Sequence, residues 1–207
     1  MQIPSFPEAN HPLVKSLFHH TDQELLTLFR RYPDDGKYFT VIFCRYSPIV
    51  YTLIQHSARS PVQADYLFAL TWRHIYYELG ALYLTNPETG EDILTLQNWL
   101  INMTAFCINE IKLPPTEAIH YSLKDTSPPL WCYIEQSLDQ LPSILRLIVL
   151  MAQTLHWSET RIAAYLQAEG EKTSPDEVAN FLQEGYRILE DKLPADIRAI
   201  YLGEHAA

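Results

Sequence analysis

Start signals for α-helices recur along this chain and constrain its fold more than any other feature. Three of them are capping boxes, in which Ser or Thr is followed three residues later by Glu or Gln. They begin at Thr21, Ser60 and Ser174, and the second and third place proline at the first helical position. Apolar residues then recur at helical spacing, and no segment alternates cleanly as a strand does. The sequence therefore predicts an all-α fold.

These signals and the prolines that stop helices predict eight helices. The first starts at Thr21 and stops before Pro33, and a kink is expected in the second at Pro48. A loop is expected at Asn86–Asp92. The remaining helices are predicted at Tyr38–Ile54, from Ser60 to Leu79, and at Leu94–Leu113, Trp131–Leu138, Leu141–Leu155, Ser158–Leu166 and Pro175–Leu193.

A proline-rich segment separates the predicted helices into two groups. The sequence from Pro114 to Pro129 holds four prolines and little apolar periodicity, which is typical of a linker between domains. We therefore predict two small helical domains, 21–113 and 131–195, joined by a linker at 114–130. Residues 1–20 would form an N-terminal extension and residues 196–207 a C-terminal tail.

Composition restricts the compartment and the partners. The 207 residues are 47% hydrophobic, which is enough for one large or two small cores. A net charge of -10 argues against general adhesion to nucleic acid or to anionic membranes. The N-terminus lacks the pattern of a secretory signal, and no apolar run reaches the roughly 20 residues that span a bilayer. We expect a cytoplasmic protein that does not contact membranes.

Motifs for catalysis and metal binding are missing from the sequence. The three cysteines, Cys44, Cys107 and Cys132, form no CxxC pair and are expected to be free thiols. The eight histidines show no HExxH spacing, and the six glycines form no phosphate-binding loop. We therefore expect no metal site, no cofactor and no catalytic residues, and a protein that is not an enzyme.

The last two predicted helices could form a helix-turn-helix. The first contains the small residues Ala163 and Ala164, which allow close approach, and the second starts at the capping box of Ser174. This combination is typical of a helix-turn-helix, but helical hairpins without a DNA function share it. The link between them, QAEGEKTS, is longer than the expected turn of about 3–4 residues.

The preceding helix adds a family resemblance. The run SLDQLPSILRLIVLMAQTLHWSETRIAAYL resembles the C-terminal domain of sigma-70-type RNA polymerase sigma factors. QNWLINMTAFCINEIKL looks like the family's promoter-melting helix, and QADYLFALTWRHIYYEL resembles the helix that docks on the polymerase clamp. Two such domains in this order resemble a bacterial sigma factor of the extracytoplasmic-function type. The matching positions of the C-terminal domain are Leu138, Leu141, Pro142, Arg146, Trp157, Glu159, Ile162 and Ala163, followed by Val178, Leu182, Leu189 and Leu193.

The resemblance implies binding to core RNA polymerase through the aromatic helix of the first domain and the apolar face of the second. Where family members carry polar clamp contacts, this chain is mostly apolar. The candidate polymerase-binding residues are Asp65, Tyr66, Ala69, Leu70, Arg73 and Tyr76. An anti-sigma or other regulatory protein is a further possible partner.

The resemblance also implies contacts with promoter DNA. In the melting helix the candidates are Trp99, Asn102, Asn109 and Lys112, where aromatic side chains could stack on bases. Trp99 and Phe106 could instead be core residues. In the second domain the candidates are Lys172, Asn180, Gln183 and Arg187.

The second domain is acidic where the family anchors phosphates. Asn, Gln and Arg can each make two hydrogen bonds to a base edge. Glu169, Glu171, Glu184, Glu190 and Asp191 oppose the phosphate contacts that supply much of DNA affinity. We therefore expect promoter DNA to be bound only as holoenzyme. The alternative is a sigma-like interaction protein that binds polymerase or another regulator and has lost autonomous DNA binding.

Overall fold

The structure is a computed structural model that describes residues 4–85 and 94–203. Within these ranges the chain forms ten α-helices and no β-strand, which confirms the predicted all-α class. The helices are α1 (Pro12–Lys15), α2 (Asp22–Arg31), α3 (Lys37–Ser57), α4 (Pro61–Leu79), α5 (Leu96–Glu110), α6 (Pro128–Asp139), α7 (Ser143–Thr154), α8 (Glu159–Ala168), α9 (Pro175–Lys192) and α10 (Ala195–Leu202). Two short 3-10 helices occupy Pro7–Asn10 and Thr116–Ala118.

The predicted helix starts are confirmed by their hydrogen bonds. The Thr21 hydroxyl accepts from the Glu24 N–H at 3.3 Å, and the Glu24 carboxylate accepts from the Thr21 N–H at 2.7 Å. Ser174 and Glu177 make the same reciprocal pair at the start of α9. The Ser60 hydroxyl caps α4, but the Gln63 amide donates instead to the Pro114 carbonyl at 3.2 Å. That third signal is therefore a single cap and not a complete box.

The chain divides into two compact units. The first contains the described residues up to Cys132 together with those from Ala195 onward, and the second is Tyr133–Pro194. The second unit is therefore an insertion whose two chain ends both join the first. Helix α6 begins in the first unit and continues into the second.

Helix α3 is the centre of the first unit and contacts α1, α2, α4 and α5. Pro48 lies inside α3, which runs on to Ser57. The strongly aromatic helix α4 packs on α3 through Phe68 and Trp72, and neither of these side chains is exposed. The N-terminal segment completes this core, because the Phe6 ring lies 5.0 Å from that of Phe43 and 5.7 Å from that of Phe68.

The second unit has its own core between α7, α8 and α9. Val178 and Leu182 of α9 are buried there as the apolar spacing predicts, and Leu189 packs against the cluster. The buried members of this cluster are Leu141, Ile148, Val149, Met151, Ile162, Ala163, Leu166, Val178 and Leu182.

The predicted N-terminal extension and C-terminal tail both contain helices with buried residues. The N-terminal segment forms a 3-10 helix and α1, and Glu8 and Val14 are buried. The C-terminal segment begins with α10, in which Asp196, Ile197 and Ala199 are buried. The predicted loop at Asn86–Asp92 lies outside the described residues.

Candidate nucleic-acid interface and partner surfaces

The link between α8 and α9 is an ordered six-residue segment, Glu169–Ser174. Gly170 ends α8 with a φ of +96°, a left-handed conformation that favours glycine. The Glu171 N–H donates to the Leu166 carbonyl at 2.9 Å, and the Gln167 amide donates to the Thr173 carbonyl at 2.8 Å. The link is longer than a tight helix-turn-helix turn, as the sequence predicts, and its own hydrogen bonds fix it.

A close approach positions α9 on α7. A Cβ added at Gly185 would lie only 2.8 Å from Cγ2 of Val149, so glycine is needed for the two helices to pack at this distance. Val178 and Leu182 point into the same core. The inward face of α9 is thus fixed by packing, and its opposite face is left to solvent.

Three of the predicted DNA-reading residues share that outward face. Asn180, Gln183 and Arg187 are exposed and follow one another at spacings of three and four residues. Each has a side chain that can make paired hydrogen bonds to a base edge in the major groove. Lys172 is also exposed, but it lies in the link before the helix.

The charges around this face oppose DNA. Arg187 Nη1 lies 2.9 Å from the Asp191 carboxylate, so the one cation of the reading face is engaged with an acid one turn away. The unit 133–194 holds five Lys and Arg against ten Asp and Glu, a formal charge of -5. The backbone N–H of Ser174 also lowers the pKa of the exposed Glu177 carboxyl, which adds a further acid near the start of α9. These charges disfavour the phosphate contacts that anchor free DNA-binding domains.

The second predicted DNA-contacting surface lies on α5. Thr95 caps this helix, and Asn102 and Asn109 are exposed on it. Phe106 is 50% exposed, so it is not a core residue, and its ring stacks on that of His74 at 5.5 Å. Trp99, the other aromatic residue that could have belonged to the core, is partly buried. Lys112 is exposed beyond the end of the helix.

The predicted polymerase-binding residues of α4 do not form one surface. Ala69 and Tyr76 lie in the core and cannot contact a partner in this conformation. They were candidates because the resemblance aligns α4 with the family's clamp-docking helix, and an aligned position does not show which side of this apolar helix is buried. Arg73 is exposed, with its guanidinium over the Tyr77 ring at 5.9 Å, and Leu70 is half-buried.

The other two α4 candidates are engaged within the first unit. The Asp65 carboxylate accepts from the Tyr51 hydroxyl at 2.8 Å. The Tyr66 ring lies 6.1 Å from that of Tyr121 and 6.5 Å from that of Trp131, so it packs on the proline-rich segment and the start of α6. The exposed part of α4 includes Arg73 and Tyr77.

The sequence predicts an apolar face on the second unit without assigning residues to it, and the structure shows exposed apolar residues on α7. On α7, Leu145, Ile148 and Val149 are buried. The other side of the helix leaves Ile144, Leu147 and Leu150 between 38% and 39% exposed. Their spacing of three residues could have revealed this second stripe within the run from Ile144 to Leu155.

Comparisons with known proteins gave no match, and the described residues contain neither a metal-binding cluster nor a membrane-spanning helix. No protein-family model matches the chain, and neither a curated protein nor a solved structure matches it. In ranges 4–85 and 94–203, no cluster of His, Cys, Asp and Glu could hold a metal ion. No helix in those ranges is long and apolar enough to cross a membrane.

Proposed function

We propose that the chain is a sigma-70-type transcription initiation factor that binds core RNA polymerase and directs promoter recognition as holoenzyme. The observation that carries the proposal is the build of the second unit. Helices α8 and α9 pack on α7, and α9 presents Asn180, Gln183 and Arg187 together on its solvent face. This is how a helix that enters the major groove is supported and exposed.

The surface of α5 supports the same proposal. Exposed Phe106 beside His74 offers aromatic faces on which unpaired bases can stack, and Asn102 and Asn109 offer hydrogen bonds on the same helix. Stacking on aromatic side chains is worth about 1–3 kcal/mol per base and requires no positive charge. A promoter-melting role therefore suits an acidic protein better than duplex binding does.

The acidic second unit sets the condition under which promoter reading occurs. Its charge of -5 and the Arg187–Asp191 ion pair leave few phosphate contacts for the free protein. Core polymerase would supply the missing positive field and hold the reading face on DNA. Binding of promoter DNA is thus expected from the holoenzyme and not from the chain alone.

The test is reconstitution with purified core polymerase, followed by footprinting on fragments selected from genomic DNA of the source organism. We expect the wild-type chain to be retained by core polymerase and to protect promoter fragments. A triple variant with Asn180→Ala, Gln183→Ala and Arg187→Ala should keep polymerase binding and lose protection. The matched control changes three exposed polar residues elsewhere in the unit, with Gln140→Ala, Thr154→Ala and Thr160→Ala, and should retain both activities. Failure of core polymerase to retain the chain would refute the proposal.

A second candidate function is a sigma-like interaction protein that binds polymerase or another regulator without reading DNA. The ion pair between Arg187 and Asp191 favours this alternative, because the Arg187 guanidinium on the reading face is bonded to a carboxylate and not directed at DNA. Under this alternative the reconstituted complex would bind DNA with the same salt dependence as core polymerase alone. The sigma-type function instead predicts a steeper dependence, because additional phosphates would be neutralised.

A further inference from the structure

One buried carboxylate joins the two segments of the first unit that precede and follow the inserted unit 133–194. Glu8, in the N-terminal segment, is only 5% exposed. Its Oε1 accepts a hydrogen bond from the hydroxyl of Ser127, the residue directly before α6. The same oxygen accepts from the hydroxyl of Tyr201, in α10, at 3.2 Å. The two segments of the first unit that flank the insertion are thus joined to the same side chain.

The N-terminal segment that carries Glu8 is itself anchored in the first unit. The Phe6 ring packs against those of Phe43 and Phe68 in the core. The 3-10 helix that contains Glu8 contacts α3. Glu8 is therefore fixed to the core of the first unit. Helix α10 can detach from Glu8 while the N-terminal segment stays in place.

Helix α10 has a second attachment at its other end. Its Asp196 carboxylate accepts from the backbone N–H groups of Gly36 and Lys37 at the start of α3. Between Asp196 and Tyr201, only Ile197 and Ala199 are buried apolar side chains. Leu202, which follows Tyr201, is about half exposed. An isolated helix of two turns is marginal in water, so α10 persists only while it is docked. Such small elements open locally before the unit around them unfolds.

We propose that the N-terminal segment and α10 form a clasp that closes the chain around both ends of the unit 133–194, and that release of α10 is a step in polymerase binding. The inference rests on the proposed function. While the clasp is closed, the second unit is tethered to the first at both ends. Once α10 is released, the second unit is tethered only through α6 and can reach a separate site on polymerase or DNA.

Only molecules with an open clasp bind polymerase. The apparent association constant is therefore the intrinsic one multiplied by the fraction of molecules in which the clasp is open. Variants that weaken it should bind core polymerase more tightly, although they remove contacts from the free protein. Tyr201→Phe removes only the hydroxyl that donates to Glu8, and Asp196→Asn removes the charge that caps α3. Leu202→Ala, on the same helix but outside the clasp contacts, is the matched control.

Hydrogen exchange of the full-length free protein tests the clasp independently of the proposed function. We expect the α10 amides to exchange through local opening, faster than buried amides of α3 and faster again in Tyr201→Phe, while α3 is unchanged. Exchange of α10 at the same rate as α3 would overturn the clasp, because α10 would then open only on global unfolding.

The second measurement adds core polymerase to the same samples. We expect α10 exchange to accelerate in the complex, and Tyr201→Phe to bind polymerase about threefold or more tightly than the wild type or Leu202→Ala. Binding of polymerase with α10 equally protected and equal affinities for all three chains would overturn release of the clasp. Absence of polymerase binding by every chain would refute the proposed function, while free-protein exchange still reports on the clasp.

Discussion

Asp196 caps the start of α3 from a position 160 residues further along the chain. Its Oδ1 accepts from the Gly36 N–H at 3.0 Å and its Oδ2 accepts from the Lys37 N–H at 2.8 Å. Gly36 has no side chain to cap the helix itself, so these amides depend on α10. The most central helix of the first unit is thus completed by the C-terminal segment.

Replacement of this cap should destabilise the first unit. We expect Asp196→Ala to lower the free energy of unfolding by about 1–3 kcal/mol, because it leaves buried N–H groups without an acceptor. Chemical denaturation followed by tryptophan fluorescence measures the change. Asp125→Ala, at an exposed position of the proline-rich segment, should leave the midpoint within error. Equal midpoints for both variants would show that the cap contributes nothing.

The close packing of α7 and α9 makes a prediction at Gly185. An added Cβ would lie 2.8 Å from Cγ2 of Val149, and a valine side chain in a helix has little rotamer freedom to move away. The overpacking cost of about 1–3 kcal/mol should exceed the gain of up to about 1 kcal/mol in helix propensity. We expect Gly185→Ala to lower the thermal unfolding temperature.

Two further variants separate the clash from the effect of alanine itself. Gly80→Ala, where no atom lies within 4 Å of the added Cβ, should be neutral or stabilising. In a Val149→Ala background, Gly185→Ala should cost less than it does alone, because the clashing methyl group is gone. An additive double variant would mean that the two side chains do not meet.

The capping box of α9 predicts a pH dependence. The Glu177 carboxyl has a lowered pKa because the Ser174 backbone N–H and hydroxyl both donate to it. A pKa lowered in the folded state stabilises the fold above the unfolded-state pKa, and this stability is lost as the pH falls through the folded pKa. We expect Glu177→Gln to flatten the fall in unfolding temperature between about pH 5 and pH 3. Glu169→Gln, at an exposed position of the link, should leave the profile as in the wild type.

Charge on the outward face of α9 should control DNA affinity in the reconstituted holoenzyme. Asp191→Asn releases Arg187 from its ion pair and removes a negative charge from the face. We expect tighter promoter binding and a log–log salt slope steeper by up to about 0.9, the value for one further phosphate contact. Filter binding at several salt concentrations measures both, with Glu117→Gln in the proline-rich segment as the charge control. Unchanged affinity and slope would place α9 away from DNA.

Local signals predicted most of the helical framework. Thr21, Ser60 and Ser174 mark the starts of α2, α4 and α9 because a cap depends only on residues within one turn. The buried spacing of Val178 and Leu182 was equally readable. These features are local, so the sequence alone determines them.

Features that depend on distant partners could not be predicted in the same way. Helix α10 is too short to be stable by itself, and its acceptor role at α3 involves residues 160 positions apart. The burial of Glu8 beside Ser127 likewise joins segments that are far apart in sequence. The resemblance makes Ala69 and Tyr76 candidates for polymerase binding, but α4 is apolar on several faces and only tertiary packing shows that these two side chains are buried.

Transcription in vitro with purified core polymerase and this chain alone tests the central claim most directly. With fragmented genomic DNA of the source organism as template, we predict defined transcript 5′ ends that are absent with core polymerase alone. These ends should be lost in the Asn180→Ala, Gln183→Ala, Arg187→Ala variant and kept in the Gln140→Ala, Thr154→Ala, Thr160→Ala control. A transcript pattern identical to that of core polymerase alone, from a chain that is folded by circular dichroism, would contradict the account.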